Sequence, residues 1–510
     1  MNNLWRKESD DSNAFFVNLF EAIDTIDAKK WNQYLQTLKL THNETSTKDN
    51  QQSNDLLRKG NRQFQKKQFC HAMELYTKAL CFAEPGTVTM SMAFEKRASS
   101  FFRMKMYNRA LIDIELAVAT KCSSELTATL GQLKSDCRKL FKPNPMETPE
   151  PLPIFKADKN FPSIVADTLA IANNKQFGRH LIAKCDIDVG QLILMEDSFA
   201  AIAKTDEQMT CYTCLREMEN FIACPSCCDV VFCNVNCMNM NLVHKFDCNT
   251  LYHRFHHKAK FTIQTILIAI SAFSNIDDLM ACVNNSREDN DDLPESIADI
   301  QSKYRLYLKL QKLPLNESVI FDVYRLFKSI MCIPLIEHLF DSEGKQRFLA
   351  HLVLHHLAIN VTNATESELT ASIGNILSLF NHSCAPNVYN YSVENRKFGV
   401  TVRPIKKGQQ VFISYLGTGN CHNAIERKHL LKSKWNFECK CDLCEPCGTI
   451  TDSNKMRLDP CFKFVNRNFK NDQPNMSIMK KKCIHFIRKY GHLPFSREMK
   501  FISDIFTSLI

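Results

Sequence analysis

Apolar residues fall at helical spacing over the first third of this chain, at strand spacing over parts of the middle, and at helical spacing again near the end. Residues 1–40 predict an amphipathic helical run, with Phe15, Leu19, Ile23 and Ile26 on one stripe. Residues 41–56 are rich in Asn, Gln, Ser and Thr and read as a polar linker. From 60 to 120 an internal repeat follows. Gly60, Phe64, Ala72, Tyr76 and Ala79 are echoed 38 residues later by Ala98, Phe102, Ala110, Ile114 and Ala117. Small residues at such positions let paired helices approach, and aromatics fill the space between them. Residues 121–141 supply a further helix.

Five prolines between 143 and 153 predict a stiff extended linker and a domain boundary. The texture then changes. Short β-prone runs around Gly178–Ala183 and Leu192–Met195 are separated by turn residues. Residues 255–360 read mainly as helix, 373–415 return to short strands and loops, and 455–510 are helical, with Phe462, Val465 and Phe469 on a core-facing stripe.

A cysteine-rich segment interrupts the β region. Cys211, Cys214, Cys224, Cys227, Cys233, Cys237, His244 and Cys248 form two C-x2-C pairs, a C-x3-C and an H-x3-C. Eight soft ligands make two closed tetrahedral sets, the arrangement that structural zinc prefers. An interleaved pairing is expected. Cys211, Cys214, Cys233 and Cys237 hold one ion, and Cys224, Cys227, His244 and Cys248 the other, with Cys228 an alternative to Cys227. Further on, Cys439, Cys441 and Cys444 give C-x-C-x2-C, one ligand short. Cys384 is the expected fourth ligand, and Cys447 competes for the place. Such closed sites leave no open position for water or substrate, so a structural role follows.

Composition narrows the setting. The chain has 510 residues, room for several domains, and a net charge of +9, too mild to argue nucleic-acid binding by itself. Its 23 cysteines would suit a secreted, cross-linked protein, but the first residues show no apolar leader pattern. No run approaches the length of a membrane span. A reducing compartment is expected, with metal rather than disulfides on the cysteines.

These motifs, in this order, resemble the SET-and-MYND protein lysine methyltransferases. The eight-ligand segment resembles the MYND zinc module. Gly178-Arg179-His180-Leu181 resembles the first SET cofactor motif, and Asn381-His382-Ser383-Cys384-Ala385-Pro386-Asn387 the SET signature loop. Gly408–Tyr415 resembles the last core strand, which ends in the active-site tyrosine, and Phe437 with the three following cysteines resembles the post-SET segment. The repeat over 57–141 resembles tetratricopeptide hairpins, with a plain helical bundle as the alternative. It suggests the fourth-member, tetratricopeptide-bearing branch of the family.

The resemblance implies a multidomain α+β protein. Helices occupy 1–142, a proline-rich linker 143–153, and a split β-rich SET domain 154–415. A MYND module (211–248) and a helical insert (255–360) interrupt that domain. A post-SET zinc segment (416–447) and C-terminal helices (448–510) follow. It also implies transfer of a methyl group from S-adenosylmethionine to a lysine of a histone or non-histone protein, and three structural zinc ions. Gly178, Arg179, His180, Asn363, Asn381, His382, Tyr415 and Phe437 are the expected cofactor contacts, with a core anchor as the other reading of Phe437. Tyr415 and Trp435 are the expected catalytic residues, Tyr415 at the inner end of a lysine channel. Trp435 stands where active relatives usually carry a tyrosine, so the alternative is a weak or inactive adaptor that recruits protein partners. The zinc module implies proline-containing peptide partners. Direct nucleic-acid binding and membrane association are not expected, and both nucleus and cytoplasm suit the chemistry.

Overall fold

The computed structural model describes residues 47–120, 123–141, 166–204, 209–218, 220–250, 256–288, 297–312, 320–417, 423–445, 453–470 and 475–510. The helical run expected over 1–40, the proline-rich stretch at 143–153 and Cys447 lie outside these residues.

Among the described residues two helical hairpins come first, Asn50–Gln65 with Phe69–Phe82 and Val88–Arg103 with Tyr107–Ala119, followed by the helix Ser124–Leu140. The polar stretch read as a linker is a helix from Asn50 onward. Asp49 caps it by accepting hydrogen bonds from the backbone N–H groups of Gln51 and Gln52. Composition misled there because only Ser53, Leu57 and Gly60 of this helix are buried. The 38-residue repeat reappears as geometry. Lys67 and Lys105 occupy equivalent left-handed turns, with φ of 62° and 63°. The Ser53 hydroxyl donates to the Ala79 carbonyl, and Ser91 repeats the bond to Ala117.

Gly60 sits against the Tyr76 ring, where a Cβ would lie 2.4 Å from Cε1. Gly60→Ala is therefore expected to destabilise the first hairpin by about 1–3 kcal/mol through overpacking. Gly131→Ala, on an exposed helical face with open space around it, should instead stabilise by about 1 kcal/mol. Urea unfolding followed by helical circular dichroism reads both. Equal effects would refute the close-packing account.

The β region is built from small sheets. Leu169–Asn174 pairs antiparallel with Gly178–Ala183, and Leu192–Asp197 forms a three-stranded sheet with Arg396–Thr401 and Val388–Val393. Ala200–Ala203, Thr370–Ile373 and Thr365–Glu366 make another. Two contacts then bring distant motifs together. Phe412–Ile413 pairs parallel with Asn381–His382, and the Val411 N–H donates to the Leu181 carbonyl across from the Gly178–Ala183 strand. Buried Glu196 accepts from the N–H groups of Ile376 and Leu377 and so fixes the short turn that leads into Asn381.

Helices fill the interval between these strands. His257–Ser271 is buried almost all round, as expected of a central core helix. Ile276–Glu288, Ile300–Leu308, Ile320–Met331 and Glu343–Asn363 follow it. Among the described residues no single helix is long and apolar enough to cross a membrane. Four C-terminal helices, Ser453–Leu458, Pro460–Asn468, Met476–Tyr490 and Arg497–Ser508, share a core of their own that takes in Val189 and Val402. Arg403 ties them to the β region by donating to the carbonyls of Gly491 and Leu493.

Candidate active site and metal centres

Three groups of four ligand atoms converge, each within 4.8 Å of one another: Cys211, Cys214, Cys233 and Cys237; Cys224, Cys227, His244 and Cys248; Cys384, Cys439, Cys441 and Cys444. Cys228 stands outside the second group. The sulfur separations fit a shared metal ion rather than disulfides. Cys214 and Cys233 lie 3.8 Å apart, Cys224 and Cys248 3.8 Å, and Cys384 and Cys444 3.6 Å. A tetrahedral zinc–thiolate site with bonds of about 2.3 Å has edges of about 3.8 Å, whereas a disulfide needs about 2.05 Å. All cysteines among the described residues are free. Crowded thiols already favour charge on one sulfur of each group. Donation from Cys214 holds the Cys211 thiol down at about 5, and Cys227 and Cys384 lower Cys224 and Cys441 in the same way.

A carboxylate behind the histidine strengthens the fit. His244 Nδ1 lies 2.6 Å from Asp247 Oδ1, leaving Nε2 among the sulfurs, 3.1 Å from Cys224. Asp247 is fully buried and also accepts from the Tyr212 hydroxyl. A metal-binding histidine characteristically donates its other N–H to such a group, which fixes its tautomer. Neither Asp247 nor Tyr212 was among the expected site residues. The only hint is the three-residue spacing from His244 to Asp247.

The third quartet borders a cleft of about 1310 Å³. Gly178, Arg179, Asn363, Asn381, His382, Tyr415, Trp435 and Phe437 all line it. Gly178 opens its strand at φ +62°, which a side chain would strain. Asn381 donates to the Phe177 carbonyl, Asn363 to those of Gln311 and Ile359, and Arg179 to that of Lys309. His180 sits apart from these residues. It is buried, lies outside the lining, and braces the Gly178 turn from behind, with Nδ1 2.8 Å from the Gly178 carbonyl.

One connected chain of contacts links the third quartet to the cleft. Burial pushes the His382 imidazole down to about 4, so it is neutral at pH 7. Its Nδ1 accepts from the Tyr415 backbone N–H at 2.9 Å, so Nε2 carries the proton and faces the Cys384 sulfur at 3.2 Å. The Tyr415 hydroxyl donates to the Phe380 carbonyl at 2.7 Å, and burial raises its pKa, so it stays protonated. Trp435 packs on Tyr415 with ring centroids 5.1 Å apart and donates Nε1 to the Thr362 carbonyl at 3.0 Å. Phe437 meets His382 at 5.8 Å. Between the two rings, Asn436 ends the helix Ala424–Trp435 in the left-handed conformation, φ +57°.

The SET-domain family profile matches residues 178–416, which carry this loop, this strand end and most of the cleft wall. This matched region, just under half of the chain, is similar to SET domains, and the chain is distantly related to the SET-and-MYND lysine methyltransferases. The protein-lysine N-methyltransferases SMYD4 of Pongo abelii and of Homo sapiens are each 23% identical to it, over 79% of this chain and 67% of their own length. A crystal structure of the SET domain of LSMT bound to lysine and AdoHcy aligns with 54% of each chain at 15% identity and a TM-score of 0.29. Two of the quartets fall in the segment between strands Ala200–Ala203 and Thr370–Ile373; the third joins the Asn381–Asn387 loop to the segment beyond the matched residues.

Proposed function

We propose that this SET-domain protein moves a methyl group from S-adenosylmethionine to the ε-amine of a protein lysine. The single observation that carries this reading is the meeting of Asn381–Cys384, Tyr415 and Phe437 at one cleft, closed by the Cys384–Cys439–Cys441–Cys444 quartet. The cofactor supplies an electrophilic methyl on a sulfonium, and the residues present fit it. Gly178 allows a close backbone approach, Asn381 and Asn363 offer amide groups, and Phe437 offers a ring face.

The chain's own part is alignment. A free lysine has a pKa near 10.4 and must enter neutral. An aromatic wall of Tyr415 and Trp435 excludes water and favours the neutral amine. A protonated Tyr415 orients through its hydroxyl and does not act as a base. Three structural zinc ions, the tetratricopeptide character of the N-terminal hairpins and partner recruitment by the zinc module belong to the same proposal.

A weak enzyme or adaptor is the second reading, and Trp435 favours it. Its indole lies against Tyr415, and its one donor is consumed by Thr362. Titration calorimetry of S-adenosylmethionine, run beside transfer of labelled methyl to extract proteins, separates the two. Tyr415→Phe is expected to cut transfer roughly 10²-fold while leaving cofactor affinity unchanged. Trp435→Tyr is expected to raise transfer by about tenfold. A chain that binds cofactor yet transfers nothing, before or after Trp435→Tyr, would falsify the enzyme reading.

A further inference from the structure

The zinc module's two-stranded ribbon, Ile222–Ala223 paired with Val231–Phe232, is covered on both sides. Strand alternation sends neighbouring residues to opposite faces. Val230 and Phe232 pack among Cys211, Cys224 and Cys227, whereas Phe221, Ala223 and Val231 join the core of the N-terminal helices. At that contact the helices present Arg97 and Asp113, both side chains fully buried. Their pairing is bidentate, at 2.7 and 2.8 Å. Phe221 lies over the Arg97 guanidinium, 4.5 Å from ring centroid to Cζ. Asn220 donates Nδ2 to Asp113 Oδ1 at 2.7 Å and to the Arg109 carbonyl at 3.0 Å. An amide and an aromatic side chain, adjacent in sequence, thus fill a charged, ring-lined groove between helices.

We propose that this groove is a docking site for a peptide segment bearing an amide residue followed by an aromatic, that the chain occupies it in cis with Asn220–Phe221, and that zinc in the adjoining module holds the occupant in place. Ala223 directly precedes Cys224, and Phe232 directly precedes Cys233, so each ribbon strand is anchored by a ligand of a different quartet. Between those anchors the ribbon pairs over only two residues per strand. A two-stranded ribbon is marginal without outside support. Release of the ligands frees the segment, and a second protein carrying the same chemistry then competes for Arg97 and Asp113. The groove and its cis occupant stand on geometry alone; only the zinc control rests on the metal reading proposed above.

A labelled peptide of residues 218–223 tests this on the full chain, with zinc content measured alongside. The zinc-loaded wild type is expected to bind it weakly. The Asn220→Ala, Phe221→Ala double variant is expected to keep its zinc and bind the peptide roughly tenfold more tightly. Adding Asp113→Asn to that variant should cancel the gain while the helical signal is retained, because the amide loses a charged acceptor. Chelated wild type should bind like the double variant. If the double variant keeps its zinc and helical signal but gains no affinity, the docking site does not exist. Equal binding by zinc-loaded wild type and double variant overturns the cis occupancy. Gain in the double variant without gain on chelation overturns zinc control alone. Protein purified without any zinc removes the metal reading and leaves the double-variant comparison to decide the groove.

Discussion

Replacing Cys384 with serine is expected to release one zinc equivalent per chain and to weaken S-adenosylmethionine binding by roughly 10²-fold, the equivalent of about 3 kcal/mol. The reason lies in the linkage from metal centre to cleft. Cys384 is the only member of its quartet that comes from the Asn381–Asn387 loop; the other three come from Cys439–Cys444. Without its thiolate the two segments have lost their direct staple. His382 Nε2 loses the sulfur it faces, and the Tyr415 backbone, which donates to His382 Nδ1, loses a fixed acceptor. Phe437, two residues before Cys439, is left on a segment that binding must now order. Zinc analysis by atomic absorption and cofactor titration by calorimetry read the two effects separately. Normal affinity in a chain lacking one zinc would show that the loop keeps its shape unaided.

A comparably large effect is expected on stability from Asp113→Ala. Removing one partner of a fully buried ion pair costs about 3–5 kcal/mol, because the remaining charge is left without compensation. Here the stranded group is Arg97, with no exposed side-chain surface. Asn220 loses its charged acceptor in the same step. Arg97→Met combined with Asp113→Leu should recover most of the loss, since an apolar pair of similar volume needs no partner. Asn220 would still have the Arg109 carbonyl. A chain of several domains does not unfold in one step, so the first transition in scanning calorimetry is the quantity to follow. A single substitution as benign as the double one would mean that the pair is hydrated in solution.

Much of the site could be read from the chain because its chemistry is local. Two C-x2-C pairs and an H-x3-C place ligands within one or two turns of each other, and metal geometry permits few ways to group them. The Cys384 contribution is different in kind. It spans 55 residues to Cys439, so the incomplete three-cysteine set showed that a ligand was missing but its spacing could not by itself choose between Cys384 and Cys447. Contacts made solely by tertiary packing were not legible at all. The Thr362 carbonyl under Trp435 and Asn220 on Asp113 leave no periodicity and no motif. The misreading of residues 50–56 has another cause. Average polarity outweighed the one informative residue there, the capping Asp49. His180 shows the converse limit, since a motif names the loop but not which of its side chains faces inward.

The left-handed residue Asn436 gives the cleft a joint. On one side the indole belongs to a helix and leans on the Thr362 carbonyl; on the other the phenyl ring belongs to an irregular, cysteine-anchored segment. Each ring answers to its own scaffold. Exchange of the larger ring therefore reaches its neighbour only through Tyr415, the ring that both of them touch.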